Sequence, residues 1–291
     1  MIHFYTRRFG WWLLVLVGLA LVGDGQYTLA QPGLRAASGE GTAVWFLRYS
    51  NSTGDADISF RYGRLPAFAG DWDGDGVDTP GWFDDDTSTW YLRNSLTAGE
   101  SDITFYYGSP GDVPLVGDWD GDGADGVGVF RPAAGGWLLR NSLMSGDADI
   151  EFLYGNPGDI PVVGDWNGDG VDTIGVFRSS EFAWYLRNSL SGGDADVTFL
   201  YGTSGDIPLA GDWDGDGIDS VGIYRPGDTL WALRHTLSDG PADVTFVYGA
   251  PGDLPVLGDW NGDNVDTAGV MRASFAIYLP LVQATKGVRP N

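Results

Sequence analysis

Aspartates recur in this chain at a spacing that suits a hard cation. Asp71, Asp73 and Asp75 take alternate positions, Gly76 allows a sharp turn, and Asp78 closes the segment. The same set returns as Asp118, Asp120, Asp122 and Asp125, and again as Asp212, Asp214, Asp216 and Asp219. Two further copies carry an amide: Asp165, Asn167, Asp169 and Asp172, then Asp259, Asn261, Asp263 and Asp266. The last copy has Asn264 in place of the turn glycine, and asparagine tolerates the left-handed conformation. Ca2+ takes six to eight oxygens, and a loop of alternating carboxylates folds them inward. Without a cation, crowded carboxylates repel one another. All twenty residues are therefore candidate ligands, for up to one Ca2+ per loop. The competing reading is a set of Asp-Gly hairpin turns, which explains one Asp per loop but not three or four. An EF-hand is excluded, because its twelfth position needs a bidentate Glu and here holds Trp82, Val129 or Val176.

These loops need elements to hold them. Each copy of Gly-Asp-Trp-(Asp/Asn)-Gly-Asp lies 47 residues after the last, starting at Gly70, Gly117, Gly164, Gly211 and Gly258. A fixed period of this length signals a repeat architecture. Within one period four short runs read as strands, rich in β-branched and aromatic residues and bounded by Gly, Pro, Asp or Asn. In the third copy they are Pro161–Trp166, Thr173–Arg178, Trp184–Asn188 and Val197–Tyr201. We label them a, b, c and d; the acidic loop joins a to b. Four strands per period make a propeller blade, so the expected fold is all-β, a β-propeller of about five four-stranded blades. The repeats begin with c and d and end with a and b, so the two ends are expected to share one blade and close the ring. A weak sixth copy of strand c, Ala276–Leu279, leaves open an imperfect sixth blade. Trp72, Trp119, Trp166, Trp213 and Trp260 sit at strand-to-loop junctions and are expected in the core.

The acidic loops resemble the calcium loops of FG-GAP and VCBS repeats, as in integrin-type propellers, which read Asp-x-(Asp/Asn)-x-Asp-Gly-x-x-Asp between two strands of a blade. The resemblance covers roughly residues 45–272. It implies a propeller with an ion in each such loop, and commonly an extracellular adhesion or recognition role. The chain departs from the pattern at one point. Its last Asp is eighth, not ninth, and the ninth position holds Thr79, Gly126, Thr173, Ser220 or Thr267. The final ligand is thus expected from another direction, a hydroxyl or water.

Composition limits the function classes. The formal net charge is -24 and Lys286 is the one lysine, which argues against nucleic acid and anionic membranes. Of 40 acidic residues only Glu40, Glu100, Glu151 and Glu181 are glutamates, a bias toward the side chain that suits turns and compact oxygen cages. Cysteine is absent, so disulfides and thiolate chemistry are excluded. Residues 1–30 read as a signal peptide, with Arg7 and Arg8 before an apolar run; an uncleaved anchor is the alternative. Residues 31–44 read as a linker, 45–278 as the propeller and 279–291 as a tail. The expected protein is secreted or surface-bound and monomeric, without a transmembrane core.

Three functions fit. The first is a non-catalytic adhesion, binding or scaffolding module with structural calcium, whose partner is an extracellular protein or carbohydrate. The second is a lectin-like carbohydrate binder, since Trp and Tyr stack on sugars. The third, less favoured, is a glycoside hydrolase, for which two carboxylates suffice. Catalysis needs groups with distinct roles, whereas these carboxylates are nearly identical from copy to copy, so no enzyme is expected. The run Asp84-Asp-Asp86 reads as a solvated turn. His235 replaces Asn94, Asn141 and Asn188 of other copies and reads as a tolerated substitution. Arg48, Arg93, Arg140, Arg187 and Arg234 in strand c, with Arg131, Arg178, Arg225 and Arg272 ending strand b, are expected to pair with repeated Asp102, Asp149 and Asp196.

Overall fold

The computed structural model describes residues 42–274. The signal peptide, most of the linker, the sixth copy of strand c and the tail lie outside the described residues. Every regular element described is a strand. The first blade comprises β3 (Ala67–Gly70), β4 (Thr79–Asp84), β5 (Thr89–Leu92) and β6 (Ile103–Tyr106). The second holds β7 (Val113–Gly117), β8 (Gly126–Arg131), β9 (Gly136–Arg140) and β10 (Ile150–Leu153). The third holds β11 (Ile160–Gly164), β12 (Thr173–Arg178), β13 (Ala183–Arg187) and β14 (Val197–Leu200). The fourth holds β15 (Ile207–Gly211), β16 (Ser220–Arg225), β17 (Leu230–Leu233) and β18 (Val244–Val247). All sheets are antiparallel with strands in the order a-b-c-d.

Five blades close the ring. β19 (Leu254–Gly258) and β20 (Thr267–Ala273) join β1 (Ala43–Leu47) and β2 (Ile58–Arg61) in one sheet, ordered β19-β20-β1-β2. Trp45 faces Met271 across the joint and Val44 faces Arg272. Sheet hydrogen bonds therefore fasten the two ends of the propeller. The a strands β3, β7, β11, β15 and β19 neighbour one another around the axis.

Each blade repeats one packing unit. The strand-c tryptophans Trp45, Trp90, Trp137, Trp184 and Trp231 have no solvent exposure. Each stacks on the phenylalanine opposite it in strand d: Trp184 and Phe199 lie 6.2 Å apart at 5°. Its indole N–H donates to the carbonyl of the tyrosine that follows that strand, as from Trp184 to Tyr201 at 3.1 Å. The ring is thus buried without leaving its N–H unpaired. The core lies between blades: Trp72, Phe83 and Trp90 of the first blade pack with Val127 and Val129 of the second. This is why a repeat period needs neighbours to bury both faces of its sheet. The five loop tryptophans are buried as well, between 2% and 6% exposed.

The strand-b arginines pair differently from the sequence expectation, whereas in strand c Arg93 lies 4.0 Å from its expected partner Asp102. Arg178, Arg225 and Arg272 at the ends of strand b grip Asp159, Asp206 and Asp253, the aspartates that precede strand a, at 2.6–2.8 Å. In strand c, Arg93 and Arg187 donate to carbonyls of their own c–d loop, at Thr97 and Glu100, and at Ser191 and Asp194. Asp102 and Asp196 also accept the backbone N–H of Asn94 and Asn188, each at 2.9 Å. A carboxylate there holds the strand-c exit, and the guanidinium fills the loop.

Candidate cation loops

The acidic loop folds around its first aspartate. Asp71 Oδ1 accepts the N–H of Gly74 at 2.8 Å, and Oδ2 accepts that of Gly76 at 2.7 Å. Asp75 Oδ1 accepts the N–H of Val77 at 3.0 Å. The turn requires left-handed backbone, with Gly74 at φ 72° and Gly76 at φ 82°. Asn264 takes φ 60° at the glycine's place in the last copy, so that turn survives its substitution. This hydrogen-bonded frame brings one oxygen each from Asp71, Asp73 and Asp75 within 4.8 Å of one another. Asp118, Asp120 and Asp122 converge in the same way, as do Asp212, Asp214 and Asp216. In each triplet the first residue is half-buried and the other two are exposed.

The two amide-bearing loops differ. Asn167 Nδ2 donates to Asp169 Oδ2 at 3.0 Å, and Asn261 Nδ2 to Asp263 Oδ2 at 3.0 Å. The frame is unchanged, for Asp165 accepts Gly168 and Gly170, and Asp259 accepts Gly262 and Asn264. An internal N–H donor thus offsets charge that the other loops leave among three carboxylates. In the three-carboxylate loops the middle aspartate takes a donor from strand c instead. Asn94 donates to Asp73 at 3.0 Å and Asn141 to Asp120 at 2.6 Å. His235 Nδ1 stands 2.7 Å from Asp214 Oδ2. His235 therefore replaces an asparagine in the same hydrogen bond, which the repeat alignment signals and sequence spacing alone does not.

The eighth aspartates are not among the converging carboxylates; they reach the neighbouring blade. Asp125 Oδ2 accepts the N–H of Asp71 at 2.8 Å, and the Asp125 N–H donates to the Asp71 carbonyl at 2.7 Å. Asp172 holds Asp118 in this way, Asp219 holds Asp165, Asp266 holds Asp212 and Asp78 holds Asp259. The approach needs the glycine ending strand a, since a Cβ at Gly70 would lie 2.7 Å from Asp125 Oδ2. Together Asp78, Asp125, Asp172, Asp219 and Asp266 line a central cavity of about 150 Å3. Burial, with further contributions from nearby carboxylates, pushes all five carboxyl groups up, those of Asp172 and Asp266 to about 7. The ninth-position hydroxyls are not poised over the loops either. Thr79 and Thr173 donate to the carbonyls of Gly70 and Gly164, and Ser220 to that of Arg234.

Among the described residues no helix is long and apolar enough to cross a membrane. No family model matches the chain, and no curated protein matches it. Among solved structures, a crystal structure of BBS1N in complex with ARL6DN, soaked with lead, is similar at a TM-score of 0.42 and 9% sequence identity. The match covers 73% of this chain and 64% of that one, so it spans less than two thirds of the other chain's length.

Proposed function

We propose that this chain is an exported, non-catalytic β-propeller that holds Ca2+ in three of its acidic loops and displays a binding surface stabilised by them. The observation that carries this reading is the convergence of three carboxylate oxygens within 4.8 Å in the loops starting at Asp71, Asp118 and Asp212. The donor set fits a hard cation: oxygen only, anionic, and exposed on the solvent side for water to complete six to eight ligands. Two unit charges 4 Å apart repel by about 1 kcal/mol in water and by about 4 kcal/mol near a protein surface. Three such charges on one rigid turn favour a counter-cation. Asp71, Asp73 and Asp75 would hold it, with their equivalents in the other two loops; bound there, it supplies charge neutralisation and loop rigidity.

The loops of Asp165 and Asp259 do not need it in the same way, because Asn167 and Asn261 already bridge to the fifth-position aspartate. The repeated FG-GAP-like pattern supports an adhesion or recognition role, and the Arg7-Arg8 leader supports export. Near-identical carboxylates from blade to blade support a structural rather than catalytic part. The test is thermal melting of metal-free protein. Added CaCl2 should raise the melting temperature and EDTA should reverse the rise; identical melts in both would end the calcium reading.

A further inference from the structure

Strand d is the outer edge of each blade, and its last residue points a backbone N–H toward the next blade. In three grooves that N–H meets an oxygen from the neighbouring c–d loop. Tyr106 N–H donates to Ser145 Oγ at 3.0 Å, Leu200 N–H to Asp239 Oδ1 at 2.5 Å and Val247 N–H to Thr53 Oγ1 at 3.1 Å. Between the second and third blades the corresponding residues are Leu153 and Gly192, and glycine brings no oxygen. The groove at that position holds a cavity of about 520 Å3, within the size range of small-molecule sites. The fifth groove pairs Arg61 with Ala98 and also lacks the oxygen. There Trp82 stands where Val176 stands here, and its indole stacks on Tyr91 at 4.1 Å.

The walls restrict what can enter. Leu153 is 66% exposed and offers an aliphatic face. Arg178 lies over the Tyr185 ring at 4.5 Å, while its guanidinium is held by both oxygens of Asp159. Its charge is therefore already balanced. Asp194 adds a carboxylate whose backbone carbonyl, but not its side chain, serves Arg187. An anion would meet Asp194 in a chain of net charge -24. An extended peptide has no room to pair with the edge, because even a Cβ at Gly192 would lie 2.6 Å from the Leu153 carbonyl oxygen. A neutral polyol meets all the terms. One hydroxyl accepts the Leu153 N–H, as Ser145 and Thr53 do elsewhere, and a hydroxyl can also donate to Asp194.

We propose that the groove between the second and third blades, lined by Leu153, Tyr185 and Asp194, where Gly192 brings no oxygen to the Leu153 N–H, is a binding site for a neutral sugar. It gives the display surface of the proposed binding module a ligand class, and it stands on the groove geometry without need of the cation loops.

The test is amide NMR on the mature protein, titrated separately with mannose, galactose and N-acetylglucosamine at millimolar concentrations, in CaCl2 and again in EDTA. At least one sugar should shift the Leu153 amide saturably. Gly192→Ser, which restores the oxygen of the other grooves, should abolish that shift. Asp194→Ala should weaken binding about fivefold, as loss of one hydrogen-bond acceptor does. Pro241 fills the Asp194 position in the fourth blade, so this second variant keeps the fold even if the serine at 192 strains its loop. Silence of the Leu153 amide with all three sugars, or an Asp194→Ala variant that binds as tightly as wild type, overturns the proposal. The calcium-dependent melt of Asp194→Ala is expected to match wild type, so failure of the sugar site leaves the cation reading separately measurable.

Discussion

Asp125 and Asp71 hold each other across a blade boundary. The carboxylate of Asp125 accepts the Asp71 N–H, and the Asp71 carbonyl accepts the Asp125 N–H. The residues are 54 apart in sequence, one repeat plus seven. Five such clamps circle the axis, and each ties the end of one acidic loop to the start of its neighbour. The first and second loops, both with three carboxylates, share the Asp125 clamp directly. The loop of Asp212 is flanked by the two amide-bearing loops.

Removing a clamp should separate its hydrogen bond from its charge. Asp125→Ala leaves the Asp71 N–H without its acceptor and should cost about 1–3 kcal/mol. Asp125→Asn keeps an acceptor oxygen and removes a buried charge, so it should be at least as stable as wild type near pH 8. Urea denaturation of both variants checks the contrast; an Asn variant as weak as the Ala variant would show that the charge itself holds the joint.

The ring of clamps also sets a pH dependence. Burial raises the Asp172 and Asp266 carboxyl groups to about 7 in the folded chain, against about 3.9 in an unfolded one. The folded state then binds more protons between those values, so stability falls as pH rises. The contribution is fully present below about pH 4 and lost as pH passes through about 7. Metal-free protein in EDTA should melt higher at pH 5.5 than at pH 8. Asp172→Asn combined with Asp266→Asn should flatten that difference; an unchanged slope would remove these two groups as its source.

Core tryptophans should dominate stability. Trp184 is fully buried, stacked on Phe199 and bonded to the Tyr201 carbonyl. Trp184→Ala should cost about 3–5 kcal/mol, and Trp184→Phe should cost less while still losing the indole N–H. Guanidinium unfolding followed by far-ultraviolet circular dichroism would rank the two.

Much of this architecture was legible in the sequence. The 47-residue period, the c–d start and the a–b finish point to about five blades and a shared closing sheet, while the weak sixth copy of strand c leaves a sixth blade open in the sequence. Asn264 was readable as a left-handed turn residue, because its neighbours in other copies are glycines. The eighth aspartate was not readable: spacing placed Asp78 beside Asp75, yet it folds onto Asp259, which lies far off in sequence. Recurrence alone offers Arg178 any of the repeated aspartates Asp102, Asp149 and Asp196 as a partner. The register that sets Ile160 opposite Phe177 brings Asp159 to it instead. The two asparagines were visible as substitutions, but their bridges to Asp169 and Asp263 require the folded turn.

Those asparagines make the site count adjustable. Asn167→Asp removes the amide bridge and builds a fourth triplet with Asp165 and Asp169, so it should add one calcium site. Asp120→Asn should subtract one. Equilibrium dialysis of each variant against radioactive calcium would read both changes, and a count unmoved by either would separate the triplets from the ion.

Three loops, not five, are proposed to hold a cation. Isothermal titration of CaCl2 into metal-free wild-type protein tests that count most directly. Three ions per chain should bind, with dissociation constants in the weak range of about 10⁻⁴–10⁻³ M common for extracellular modules. A stoichiometry of five, or no saturable heat at all, would contradict it.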